Sequence, residues 1–224
     1  MKKILLFCLL PTLLSASPFC GFYLGGGVGW DWFRLQERRQ NQFNPSFPFF
    51  LFSNASANGF QGEGHIGWMG QWGRGHLGAR VGYRGFGRDR VERMQLFASG
   101  QADFWKIQGA FFDVTPGISI CDRWLLYATL GFGATQYQYF GRFTRGDMGI
   151  FRDEKRWSYL PRFGAGLEWN FWRCLTAGFQ WTYLFPGRPV YSGPSKGPSE
   201  RDQNTRWEKV RGNQISFTLN WYFL

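Results

Sequence analysis

Residues 213–224 read NQISFTLNWYFL. Ile215, Phe217, Leu219, Trp221 and Phe223 share one side of an extended chain. Gln214, Ser216, Thr218, Asn220 and Tyr222 share the other, because successive side chains of a strand point to opposite faces. An unbroken period of two across this stretch argues for a strand with one apolar and one polar face.

The same rule carried upstream finds seven more strands. The first sets Phe22, Leu24, Val28, Trp30 and Trp32 against Tyr23, Gly25, Gly27, Gly29 and Asp31. The second sets Phe60, Ile66 and Trp68 against Gln61, Glu63, His65 and Gly67; the third, Leu77, Ala79, Val81 and Tyr83 against His76, Gly78, Arg80, Gly82 and Arg84. The fourth sets Ala110, Phe112, Val114 and Ile118 against Asp113, Thr115 and Gly117, and needs a bulge near Gly109 to agree with Trp105 and Ile107. The fifth sets Leu126 to Ala134 in steps of two against Tyr127, Thr129, Gly131 and Gly133. The sixth sets Phe163, Ala165, Leu167, Trp169 and Phe171 against Arg162, Gly164, Gly166, Glu168 and Asn170; the seventh, Leu175 to Phe185 in steps of two against Thr176, Gly178, Gln180 and Thr182.

Composition says what the apolar face meets. Aromatic residues make up 21% of the chain, with 12 Trp and 25 Phe, yet the mean hydropathy is −0.32. Alternating strands of a membrane barrel produce that combination, since one whole face is greasy while the average stays polar. A soluble barrel would turn its polar face to water. Here that face is half glycine, which suits the crowded interior of a narrow barrel. The sequence therefore predicts an all-β, eight-stranded, antiparallel up-and-down transmembrane β-barrel. Its connections alternate between short links, at 70–75, 119–123 and 172–174, and long loops, at 33–56, 86–100, 138–156 and 186–212. Short turns on one side and long loops on the other place the short side and both mature termini in the periplasm. Trp30, Trp32, Tyr83, Trp105, Trp157 and Tyr183 then fall at one lipid–water boundary, and Trp68, Trp124, Trp169 and Trp221 at the other.

At the N-terminus, Lys2 and Lys3 precede an apolar stretch from Ile4 to Leu14 and the small residues Ser15, Ala16 and Ser17. That order predicts a signal peptide over 1–16, leaving 17–224 as one barrel domain. The stretch is shorter than the ~20 residues a spanning helix needs.

Two segments, Trp124 to Gly133 and Asn213 to Leu224, are similar to the outer membrane protein A and X type of eight-stranded barrel, which includes opacity-type adhesins. The resemblance implies residence in the bacterial outer membrane. It also implies that Ile215, Phe217, Leu219, Trp221 and Phe223 form the C-terminal signal read by the outer-membrane assembly machinery. Leu224 departs from the aromatic ending usual in the family.

Asp31, Glu63, His65, Arg80, Arg84, Asp113, Arg162 and Glu168 all fall on the inward face. Buried charges persist when paired and hydrogen-bonded, so these residues are expected to form an interior polar network that seals the lumen. Glu63 and His65 must lie opposite or diagonal to Arg80 and Arg84 across one hairpin, with the register open by two residues. The alternative is a narrow ion or small-solute channel. A third reading is a lipid-modifying enzyme, which needs a nucleophile beside a base. Neither His65 nor His76 has a nearby Ser in sequence or a place at the outer rim, so no catalytic residue, metal site or cofactor is expected.

The formal charge is +11, or +9 without Lys2 and Lys3. Its location argues against nucleic acid. Arginines and lysines cluster in the four long connections, among them Arg34, Arg38 and Arg39, Arg88, Arg90 and Arg93, Arg142 to Arg156, and Arg188 to Arg211. The expected partners are outer-membrane lipid and lipopolysaccharide phosphates, or a host glycan. The segment from Asn44 to Phe52, with Pro45, Pro48 and four Phe, would fold over the mouth or contact a partner. Cys20, Cys121 and Cys174 remain after cleavage and fall at the short-turn end, where an oxidising periplasm would permit a disulfide to another envelope protein. The function read from the sequence is structural or surface-adhesive.

Overall fold

A computed structural model of the chain describes residues 18–40, 50–87, 94–96, 100–145, 148–187, 192–194 and 204–223. The expected signal peptide, Asn44 to Phe49, Arg88, Arg90, Arg93, Arg188, Lys196, Arg201 and Leu224 lie outside the described residues.

Ten strands follow one another: β1 (Gly21–Gln40), β2 (Phe50–Trp72), β3 (Gly75–Phe86), β4 (Met94–Leu96), β5 (Gly100–Cys121), β6 (Trp124–Arg145), β7 (Met148–Trp172), β8 (Leu175–Gly187), β9 (Ser192–Pro194) and β10 (Asn204–Phe223). β4 and β9 are three residues each and pair with β5 and β10. The other eight form a ring in sequence order, closed where β10 pairs back onto β1, and every pairing is antiparallel. Closure removes the exposed sheet edge that an open eight-stranded sheet would present.

Two-residue turns join β2 to β3, β5 to β6 and β7 to β8. Gly73 opens the first with φ +60, a conformation glycine adopts at no steric cost. Arg173 opens the third with φ 41 and has no such freedom. Its turn is held by Asn170, whose side-chain amide donates to the Arg173 carbonyl at 2.6 Å and to the Leu175 carbonyl at 3.3 Å.

The expected faces are observed. Phe22, Leu24, Val28, Trp30 and Trp32 of β1 are exposed, while Tyr23 and Asp31 are buried. On β10, Phe217, Leu219, Trp221 and Phe223 are exposed, and Gln214, Ser216, Thr218, Asn220 and Tyr222 are buried. From Phe22 to Trp32 the apolar column runs ~34 Å along the strand, or ~26 Å along the barrel axis at a tilt near 40°. That matches the ~25 Å apolar band of outer-membrane barrels. Trp124 and Trp169 face each other in register and stack at 5.9 Å, marking the turn-end boundary. Trp72 and Trp172, both exposed at the same end, extend this aromatic level beyond the four expected tryptophans.

One expectation is corrected. Two of the long connections are mostly strand: β1 and β2 stay paired out to Gln40 and Phe50, and β6 and β7 out to Arg145 and Met148. Beyond the bilayer neither face need be apolar, so the alternation stops while backbone pairing continues. The bulge expected near Gly109 falls between Lys106 and Gln108, and a second irregularity lies between Ser119 and Cys121.

Candidate functional site

The buried inward side chains meet across a lumen about one layer of side chains wide. Glycine makes the room. Gly82 is the register partner of Phe111, and a Cβ there would stand 2.6 Å from Phe111 Cε1 and 2.8 Å from the Gly64 carbonyl oxygen. With glycine at that position the Phe111 ring can lie across the barrel axis.

The central layer is built around that ring. Arg84, Arg162 and Arg80 place their guanidinium carbons 4.5, 4.6 and 5.6 Å from its centroid. The register left open by the sequence is settled here: Glu63 lies directly opposite Arg84, and Arg84 Nε donates to Glu63 Oε2 at 2.8 Å. Arg80 instead turns to Asp113, its register partner on β5, with Nη2 at 3.0 Å from Oδ2. Arg162 approaches the other oxygen of Asp113 at 3.2 Å. One carboxylate thus faces two guanidiniums. Arg80 also donates to Gln180 Oε1 at 2.5 Å, and Arg84 to Gln214 Oε1. His65 Nε2 lies 2.8 Å from Asn220 Oδ1, and His65 Nδ1 lies 3.7 Å from Glu63.

Glu168 differs from the other acids. It has no cationic partner within ion-pair distance among the described residues. Its oxygens accept from Tyr222 at 3.0 Å, from Thr176 at 3.2 Å and from the Asn220 amide.

Away from the turns, Lys106 is ion-paired with Asp31 and sits 4.3 Å from the Phe33 centroid. Sequence reading missed Lys106. Ile107 has no partner between the pairs Lys106–Tyr137 and Gln108–Gln136, and this extra residue reverses the parity upstream of it. Toward the turns, Phe19, Tyr23, Met69, Leu125, Tyr127 and Tyr222 pack into a buried apolar cluster. Phe19, fully buried, precedes β1 and meets the Tyr222 and His76 rings edge-on at 6.4 and 6.2 Å. Gly21, at φ +109, lets the chain bend between this cork and the first strand. Sequence patterning could not find Phe19, because it lies outside any alternating segment.

His76 Nε2 lies 2.5 Å from Ser119 Oγ, a pairing across 43 residues that spacing along the chain could not reveal. Among the described residues His76 Nδ1 has no hydrogen-bond partner, so none of them orients the ring as a catalytic triad requires. Among the described residues no group of three His, Cys, Asp or Glu could hold a metal ion. Cys20, Cys121 and Cys174 are free thiols near the turns, buried, exposed and half-buried in that order.

The outer membrane protein beta-barrel domain model matches residues 4–223. No curated protein matches the chain. Among solved structures, Ail, the attachment invasion locus protein of Yersinia pestis, is 13% identical, with 91% of this chain and 100% of that one covered and a TM-score of 0.42. Outer membrane protein AlkL is 13% identical, covered 92% on both sides, with a TM-score of 0.47. The outer membrane protease OmpT from Escherichia coli is 8% identical over 90% of this chain and 96% of that one, with a TM-score of 0.48. At these identities and TM-scores the likenesses carry no argument about what the chain does. The family match, covering nearly the whole chain, together with the closed antiparallel ring and its apolar belt, places this chain in the outer membrane protein β-barrel family, as an integral protein of the outer membrane.

Proposed function

We propose that this protein is a closed surface barrel with a structural or adhesive role, acting through the hairpins it holds above the membrane. In this reading the two-residue turns and both mature termini face the periplasm and the extended hairpins face outward. The observation that carries the reading is the filled lumen. Buried Arg80, Arg84, Lys106 and Arg162 are matched in number by buried Asp31, Glu63, Asp113 and Glu168, and Phe19 corks the end below them. A conducting path needs a continuous wet lumen, commonly lined by charges of one sign. This interior is charge-balanced and packed. Catalysis is disfavoured because the His76–Ser119 pair has no orienting acid among the described residues.

The hairpins supply reach. β7 has 25 residues, so it would extend ~63 Å along the axis, more than twice the apolar band. The proposed partners are lipopolysaccharide or an acidic glycan on another cell for the basic hairpins, and the outer-membrane assembly machinery for Ile215 to Phe223. Two measurements test the reading. Purified barrel in planar bilayers is expected to give no steady current; sustained single-channel conductance would overturn the closed-barrel reading. Replacing residues 37–53 and 140–153 by two-residue turns is expected to leave a folded barrel that no longer binds cells. Undiminished binding would remove the adhesive role.

A further inference from the structure

The outward column of β1 runs through Phe22, Leu24, Val28, Trp30 and Trp32, all exposed, and ends at exposed Arg34. The neighbouring column of β10 runs from Phe223 to Ile215 and ends at exposed Asn213 and Arg211. Arg34 and Arg211 are direct register partners across the seam that closes the barrel. Like charges in that position destabilise a strand pair. Among the residues whose side chains are described, no carboxylate lies within ion-pair reach of either. Their flanks are uncharged and polar: Ser56 is opposite Arg34, and Asn58 is opposite Trp32, both exposed. On the other flank the β8 ladder is interrupted at Arg211, where β8 supplies Phe185 and Pro186 between the paired Leu184 and Gly187. Farther out, the register sets Gln36 opposite Lys209 and Arg38 opposite Arg206, with Glu37 and Glu208 the acids in these two stretches.

The level of the pair is informative. Arg34 lies two residues beyond Trp32, ~5 Å farther along the axis. Interfacial indoles mark the depth of lipid headgroups. Below the pair, the outward surface is shallow where Gly26 of β1 lies opposite Gly64, and Val28 opposite Gly62. A Cβ at Gly62, Gly64 or Gly85 would meet nothing within 4 Å. The result is a trough ~16–21 Å below the arginines, on the lipid-facing side.

We propose that Arg34 and Arg211 bind the phosphate of a lipid A molecule in the outer leaflet, with an acyl chain laid along the Trp32–Trp30 column into the glycine trough. The proposal rests on the reading that the hairpin end faces outward. Two guanidinium forks suit one phosphate, each able to donate in parallel to its oxygens. A bound dianion also removes the repulsion between the two arginines. A ligand with both phosphate and tails uses the charges and the apolar column together, whereas a sulfated glycan would use the charges alone.

Full-length barrel, refolded free of lipopolysaccharide in neutral detergent, would be titrated with fluorescent bisphosphorylated lipid A and with its fully dephosphorylated form. The wild type is expected to prefer the phosphorylated form by about 30-fold, two interfacial arginines' worth of electrostatic attraction. Arg34→Gln/Arg211→Gln should lose that preference, Arg34→Lys/Arg211→Lys should keep part of it, and Lys155→Gln on β7 should keep it all. An undiminished preference in the Gln double variant overturns the proposal, as does a wild type with no preference. So does displacement of bound lipid A by none but sulfated glycan, with no competition from unlabelled lipid A. Orientation is read separately, by labelling Ser56→Cys on intact cells with a membrane-impermeant maleimide. Absence of label there would overturn the outward-facing reading whatever the binding result.

Discussion

Asp113 and Glu168 are both buried acids on the inward face, yet their surroundings give them different weights. Asp113 is within 3.0 Å of Arg80 and 3.2 Å of Arg162, so replacing it leaves two guanidiniums without their shared counter-ion. Breaking one partner out of a buried ion pair typically costs about 3–5 kcal/mol. Glu168 accepts from a phenol, a hydroxyl and an amide; a glutamine can keep the Thr176 and Asn220 bonds on its single oxygen and donate its amide to the Tyr222 hydroxyl oxygen, and no cation loses a counter-ion. Asp113→Asn is therefore expected to lower the urea midpoint of the detergent-solubilised barrel, followed by tryptophan fluorescence, far more than Glu168→Gln does. Equal losses would mean that the ion-pair geometry around Phe111 does not set the stability of the central layer.

At the scale of elements, the turns and the ladder irregularities decide which side chains reach the lumen. The third turn holds Arg173 at positive φ, where a non-glycine residue costs ~1–2 kcal/mol. The Asn170 amide offsets part of that by tying down two carbonyls. Arg173→Gly is expected to raise the urea midpoint, and Asn170→Ala to lower it. If Arg173→Gly lowers stability instead, the turn is not strained by its φ. The irregularity between Lys106 and Gln108 works on β5 in another way. It turns Lys106 inward to Asp31, and so supplies the fourth buried cation that balances the four buried acids.

For the whole molecule, closure creates two ends of different character. The turn end is corked by Phe19 and carries three thiols with different access. The proposed disulfide to another envelope protein then has one favoured site, since Cys121 is exposed while Cys20 is buried and Cys174 packs against the apolar cluster. On non-reducing gels of envelope extracts with thiols blocked at lysis, a reductant-sensitive higher band is expected. Cys121→Ser should abolish it and Cys20→Ser should not. A monomer in every lane would end the cross-linking proposal.

The sequence by itself determined the eight membrane-crossing segments, their inward and outward faces, the class of barrel and which end bears the short turns. It could do so because a lipid-facing strand must alternate, and Ile215 to Phe223 alternate without a break. It also placed Glu63, His65, Arg80, Arg84, Asp113, Arg162 and Glu168 in one interior, since parity alone sends them there. Only the tertiary structure decided who meets whom. Strand register paired Glu63 with Arg84, gave Asp113 to both Arg80 and Arg162, and left Glu168 to neutral donors. It set Ser119 against His76, and Arg34 against Arg211 at the seam. It carried β1, β2, β6 and β7 far past the belt, where alternation ends because no lipid requires one face to be apolar. Parity is a property of one strand and is visible along the chain. Register, bulges and closure are properties of pairs of strands, set by contacts between residues as far apart as His65 and Asn220.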